Sequence, residues 1–171
     1  YDYRFMDVFK FYRTSFWESR NYDTLFPELV VEEFDNQILT NPELTFQTFS
    51  ATIGGAYQIN DYTIFANYAL ASRPPNASEL FSEGLHHSAS RIELGDLRFK
   101  QETAQKLTVT LQKKGDRINF SVNPYANFIE DFILIEPTGI EQTIRGNFQV
   151  WEYRQTKARI IGLDTDFSMA I

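Results

Sequence analysis

The chain has 171 residues, a formal net charge of −7 and no cysteine. The missing cysteine excludes disulfides, zinc–thiolate sites and cysteine nucleophiles, and the acidic balance argues against a nucleic-acid partner, which would need a basic face. Sixteen Phe, nine Tyr and two Trp exceed what a domain of this size ordinarily carries, and no run approaches the roughly 18 apolar residues of a membrane helix.

Tyr1 to Arg13 alternates, with Tyr1, Tyr3, Phe5, Phe9 and Phe11 on one face until Asp7 interrupts it. The pattern is already under way at Tyr1, as expected of an excerpt from a longer polypeptide. Thr14 to Asn41 has no sustained period and carries Glu32, Glu33 and Asp35 around Phe34. It is expected to be a long loop with a small hairpin, Leu29-Val30-Val31 forming a short buried strand. Tyr12, Phe16, Trp17 and Tyr22 are placed either to stack on a flat ligand or sugar or to pack the base of this loop.

Leu44 to Ile59 reads as a strand with Phe49, Ala51, Ile53, Gly55, Tyr57 and Ile59 on one face. Asn60-Asp61 is a tight turn, and Tyr62 to Ser72 returns. Pro74 and Pro75 end that strand because they cannot donate to a ladder. Asn76 with Glu79 three residues on forms an N-cap and capping box, and Gly84 suits a left-handed stop. A helix of under two turns is therefore expected over Ala77 to Glu83. Glu102 to Lys114 alternates most cleanly, Leu107, Val109 and Leu111 against Lys106, Thr108, Thr110 and Gln112. After a turn at Gly115-Asp116, Arg117 to Ile135 goes back. Pro124 in it implies a bulge or a locally broken ladder. Glu136 to Asn147 reads as a Gly/Pro/Thr loop, and Phe148 to Ile171 as the sixth strand.

Connectors thus alternate long and short, and the faces opposite the apolar rows are strongly polar. Regular turns on one side and long loops on the other mark a membrane barrel. A soluble sandwich also alternates, because one face of each of its sheets meets water. Two architectures follow: an all-β antiparallel up-and-down wall of about six strands belonging to a larger transmembrane barrel, or an aromatic-rich β-sandwich binding module of carbohydrate type.

The connector R-P-P-N-A-S-E-L-F-S-E-G-L-H-H from Arg73, followed by R-I-E-L-G-D from Arg91, resembles the C-terminal half of the barrel in TonB-dependent outer-membrane receptors. E-T-A-Q-K-L-T-V-T-L at Glu102, the Asn123 to Ile133 stretch and Y-R-Q-T-K-A-R-I-I-G-L-D at Tyr153 are similar to three consecutive strands of that family. Here Arg98 to Glu102 replaces the more usual Leu-Lys-Pro-Glu, and Ser88 stands where Gly is common. The resemblance implies that residues 1–171 are a partial barrel without a plug domain, placed in the bacterial outer membrane and bounded by membrane lipid. It implies energy-coupled uptake of an iron–siderophore, a metal or another small ligand, with an inner-membrane TonB-type partner acting through a plug domain.

Ligand contact is expected from Arg73, Glu83, His86, His87, Arg91 and Glu93 in the central connector and from Trp17 and Tyr22 in the first loop. His86 and His87 are the only histidines and the candidate metal ligands. Neighbours on an extended backbone point opposite ways, so a packed or solvated pair is the competing reading. Asp164 and Asp166 share a strand face as a glycosidase pair would, but a wet lumen wall accounts for them. No phosphate loop, Ser/His/Asp set or zinc-protease motif occurs; no cofactor is expected, and the chain is not expected to be an enzyme.

Overall fold

In a computed structural model, the structure describes residues 1–169. Ala170 and Ile171, the end of the expected sixth strand, lie outside the described residues. Twelve strands occur among them: β1 Asp2–Asp7, β2 Lys10–Arg13, β3 Val30–Glu33, β4 Gln37–Thr40, β5 Glu43–Thr48, β6 Ala51–Ile59, β7 Tyr62–Arg73, β8 Glu83–His86, β9 Arg91–Leu94, β10 Glu102–Lys113, β11 Ile118–Thr143 and β12 Gly146–Met169.

Six sequential antiparallel passes make the wall: β1, β5 continued by β6, then β7, β10, β11 and β12. The second pass is interrupted at Phe49–Ser50, where its pairing changes from β1 to β7. The wall is open, with β1 and β12 unpaired to each other. Turns fall where the sequence places them. Asn60 takes a left-handed φ of 50° to close Ile59 onto Tyr62, and the Lys114 N–H donates to the Asp61 carbonyl at 2.9 Å, tying the two turns together. All three long connectors lie at the opposite end.

Residues paired across strands share a face, so the register gives the rows directly. Ile53, Tyr68, Leu107, Ala126 and Ile161 form one row. Tyr57, Ile64, Leu111 and Val122 form another, and most of these side chains are exposed, Ile53 by 73% and Leu107 by 50%. On the other face Asn67, Thr108 and Tyr125 lie between Gly54 and Gly162. Asn67 and Tyr125 lie over those glycines: a Cβ on Gly162 would come within 2.3 Å of the Tyr125 ring. A sandwich would bury the apolar rows between two sheets. Here they face outward, which overturns the sandwich alternative.

Pro124 breaks the ladder locally without a bulge. Pairing of β11 with β10 lapses between Tyr125 and Val122 and resumes in the same register, while the Thr110 hydroxyl donates to Asn123 Oδ1 at 2.9 Å across the gap. The expected loop Glu136 to Asn147 is corrected. Both strands run on through it as a ribbon that turns only at Ile144–Arg145. Pro137 and Gly139, read as loop residues, are absorbed by a register shift, and a second shift lies between Ile129 and Phe132, beside Asp131 with its φ of 54°. Each adds one residue to β11, which bends and twists the ribbon. Above Ile133 and Gln155 the ribbon projects about 35 Å at the usual rise per residue.

Candidate functional site

The Thr14 to Asn41 stretch is a folded lobe rather than a plain loop. Helix α1 (Thr14–Ser19), helix α2 (Tyr22–Leu25), a 3₁₀ turn at Pro27–Leu29 and a three-stranded sheet in the order β2-β4-β3 build it. The hairpin β3–β4 contains the Val30 and Val31 of the expected short strand, with Val30 half-buried and Val31 exposed. Tyr12, Phe16, Trp17, Tyr22 and Ile38 from this lobe pack into one core with Leu80, Phe81, Leu97 and Phe99 of the central connector and Ile133 of the ribbon. Trp17 and Tyr22 meet edge to face with centroids 5.0 Å apart. Burying each such large side chain contributes roughly 1.5–3 kcal/mol. The aromatic group read as either ligand platform or loop base is therefore the core that joins three connectors.

The central connector is fixed at both ends. Helix α3 (Ala77–Phe81) is where the sequence puts it, and the Asn76 N–H donates to Glu79 Oε2 at 2.7 Å. It ends two residues earlier than expected. Gly84 is not its stop but lies within β8 with φ 129°. Buried Glu79 also receives Arg73 at 3.0 Å, and Arg73 reaches Glu102 at 2.7 Å, so one guanidinium ties the start of the connector to its end. At the far side the Gln155 amide donates to the Lys100 carbonyl (2.7 Å) and accepts the Lys100 N–H (3.1 Å). Gly95 allows α3 to lie against the chain: a Cβ there would sit 2.6 Å from the Glu79 carbonyl oxygen.

Asp96 is the polar centre of the lobe, 5% exposed. It accepts from the Tyr22 hydroxyl at 2.8 Å and from the Arg98 N–H at 2.9 Å, and the Arg98 guanidinium grips both its oxygens. Burial alone would raise its pKa, but the hydrogen bonds from Arg98 and Tyr22 outweigh that and hold the carboxyl below its ordinary value. Burial, then the Asp96 charge, pushes the Tyr22 phenol well above its ordinary value, and burial does the same to Tyr12. Two arginines of the first connector staple it to the others. Arg13 pairs with Glu83 at 2.6 Å and Glu141 at 3.2 Å, and Arg20 pairs with Glu152 at 3.0 Å.

The structure divides the sequence-predicted contact residues in two. Glu83, Glu93, Trp17 and Tyr22 are held inside the lobe, Trp17 and Tyr22 each being 1% exposed, whereas Arg73 is tied to Glu79 and Glu102 with its side chain partly open to solvent. His86 and His87 are exposed at the surface. His86 Nδ1 stands 3.3 Å from Glu93 Oε1, which also accepts from Arg91 at 2.8 Å, and the Arg91 guanidinium covers the Trp151 ring at 4.7 Å. His87 opens a 3₁₀ turn and does not join that pair. Among the described residues no three His, Asp or Glu side chains gather as a metal site would require. Sequence reasoning missed Arg13, Arg20 and Gln155, whose partners lie 55 to 132 positions away, and the bond of Asp96 to Tyr22, 74 positions off; no local pattern announces such pairs.

No curated protein matches the chain in sequence. The family described as TonB dependent receptor-like, beta-barrel, matches over residues 3–170. Among solved structures the chain is similar to the copper transporter OprC, with 23% identity and a TM-score of 0.57 over 76% of this chain and 19% of that one. It is similar to the Serratia marcescens hemophore receptor HasR, a double mutant solved with its hemophore HasA and heme, at 17% identity and a TM-score of 0.60, covering 77% and 21%. The siderophore receptor PirA from Pseudomonas aeruginosa gives 16% and 0.55, covering 75% and 25%. At these identities the likeness is one of fold. The chain spans about a fifth to a quarter of the length of those structures.

Proposed function

The chain belongs to the TonB-dependent receptor-like β-barrel family, whose place is the bacterial outer membrane, and from that membership we propose that it supplies barrel wall and ligand-capturing outer lobe to a receptor for energy-coupled nutrient uptake. The cargo class is a metal, a metal chelate such as an iron–siderophore, or another scarce small ligand, and an inner-membrane TonB-type protein drives uptake through a plug domain. The observation that carries this reading is a wall apolar outside and polar inside, with its three long connectors folded together at one end. Wet inner face and lipid-facing outer face are what a spanning strand needs on its two sides.

Within the lobe, exposed His86 and His87 are the contact residues we assign to the ligand side, and Arg91 lies beside them against Trp151. Arg73, Glu83, Glu93, Trp17 and Tyr22 act behind them by holding the connectors. The role is transport, without catalysis.

Uptake by cells producing the full-length protein tests the reading. Copper, heme and a ferric siderophore are offered separately, each with and without the inner-membrane energy source. Accumulation of one of them that needs the energy source and falls in a His86→Ala/His87→Ala variant is the expected result. A protein that fractionates away from the outer membrane, or energy-independent accumulation equal to that of cells lacking it, would overturn it.

A further inference from the structure

Strands β8 and β9 carry a group of side chains whose donors are only partly used. His86 and Arg91 are partners across the two strands and Glu93 lies two residues on, so all three share one face. Trp151 of β12 pairs with Glu93 and sets its ring against the Arg91 guanidinium at 4.7 Å. Glu93 is buried. One of its oxygens accepts Arg91 Nε at 2.8 Å and lies 3.3 Å from His86 Nδ1.

An arginine donates from Nε and from two terminal nitrogens. Arg13, Arg20, Arg73 and Arg98 each give at least one terminal nitrogen to a carboxylate. Arg91 gives only Nε, and neither of its terminal nitrogens has a hydrogen-bond partner among the described residues. Its side chain is 30% exposed, so a ligand can reach that free edge. Glu93 behind it and Trp151 beside it already fix its plane. Binding there costs little of the side-chain ordering that a long flexible group usually loses. The free edge of a guanidinium matches two coplanar acceptor oxygens. Glu93 already offsets its charge, so a singly charged planar group fits better than a doubly charged phosphate.

We propose that the ligand taken at the His86 surface is a carboxylate-bearing metal chelate, one planar carboxylate of which is held by both terminal nitrogens of Arg91, with His86 alongside. This rests on the reading of that surface as the ligand side, and it narrows the cargo from any scarce small ligand to chelates with a free carboxylate.

The reagent p-hydroxyphenylglyoxal condenses with the terminal nitrogens of a guanidinium. Its rate at each arginine, read by peptide mass spectrometry on the full-length protein in detergent micelles, reports which of them are free. Arg91 is expected to react faster than Arg73 and Arg98, whose side chains are more exposed but whose terminal nitrogens are engaged. Ferric citrate, which keeps free carboxylates, should slow the reaction at Arg91 about fivefold or more at saturation, while ferrioxamine E, a ferric chelate without a carboxylate, leaves it unchanged. Arg91→Lys should weaken ferric citrate binding about tenfold, because a point charge cannot take both oxygens.

An Arg91 that reacts no faster than Arg73 and Arg98 would mean that its terminal nitrogens are engaged. An Arg91 unprotected by ferric citrate, or protected equally by ferrioxamine E, would mean that no carboxylate is held there. Either result overturns the anchor, and an Arg91→Lys variant that binds ferric citrate as the parent does overturns the two-oxygen grip. Labelling in micelles needs no energy source. Protection of Arg91 without energised uptake would therefore sink the receptor reading alone, and energised uptake with Arg91 unprotected would sink the anchor alone.

Discussion

The Tyr22 hydroxyl donates to Asp96 Oδ1 at 2.8 Å across 74 positions of sequence, and the Tyr22 phenol oxygen itself accepts the Leu97 N–H at 3.0 Å. One phenol therefore satisfies a buried carboxylate and a backbone donor of a different connector. Tyr22→Phe keeps the ring in its edge-to-face contacts and strands the Leu97 N–H. The expected cost is about 1–3 kcal/mol, confined to the lobe. Amide exchange at Leu97 should accelerate accordingly while exchange in β10 stays as it was; unchanged protection at Leu97 would show that the phenol is not holding the connectors.

The same pair sets a pH window for the lobe. The Tyr22 phenol is raised when folded, so its contribution is complete below the unfolded value of about 10 and drains away as pH climbs above it. Buried Tyr12 adds to that alkaline loss. Asp96 is lowered when folded, so its contribution is complete above about pH 4 and is lost as pH falls through the depressed value. Trp17 fluorescence should report loosening at both extremes, and at the alkaline end before the wall unfolds. A lobe and wall that melt together above pH 10 would count against the role of these groups.

Gly95→Ala should be costly and Gly139→Ala should not. The Gly95 methyl would meet the Glu79 carbonyl oxygen at 2.6 Å and the Leu80 carbonyl carbon at 2.8 Å, backbone atoms of α3 that cannot rotate aside, whereas nothing lies within 4 Å at Gly139. Overpacking of this kind costs about 1–3 kcal/mol. Limited proteolysis within Ala77 to Phe99 should rise in the first variant alone.

Leu107 and Thr108 are neighbours on opposite faces near the middle of β10. Leu107→Lys should cost about 2–4 kcal/mol in a bilayer, and Thr108→Lys much less, because its side chain enters a wet interior. Refolding into phosphatidylcholine vesicles, followed by urea titration, measures both. A reversed order would mean that the faces have been assigned the wrong way round.

What was legible in the sequence follows from how far its cause reaches along the chain. Leu107, Val109 and Leu111 declare a strand because period two is local, and Asn76 with Glu79 declares α3 because a capping box spans three residues. Helices of six and four residues have no room for a period, so α1 and α2 looked like loop, and Phe16, Trp17 and Tyr22 showed that they were buried only through partners in another connector. Pro137 and Gly139 misled in the other direction. As single residues they speak for a loop, but one extra residue on β11 lets the ribbon continue past them. Of the contact candidates, His86 and His87 were placed on the surface, while Arg73 and Glu83 turned out to be committed to ion pairs whose partners local spacing could not reveal.

Strand β9 runs parallel to β12 and bonds to it from Gln149 to Glu152, with β8 behind it. Since β11 fills the opposite side of β12 along its length, those four residues have no vacancy left, and on the membrane side of them Tyr153 to Met169 offers open N–H and C=O groups to a further strand. The central connector thus serves as a gauge. It fixes the height above which the wall cannot widen on that side, and it does so with a segment borrowed from two passes earlier in the chain.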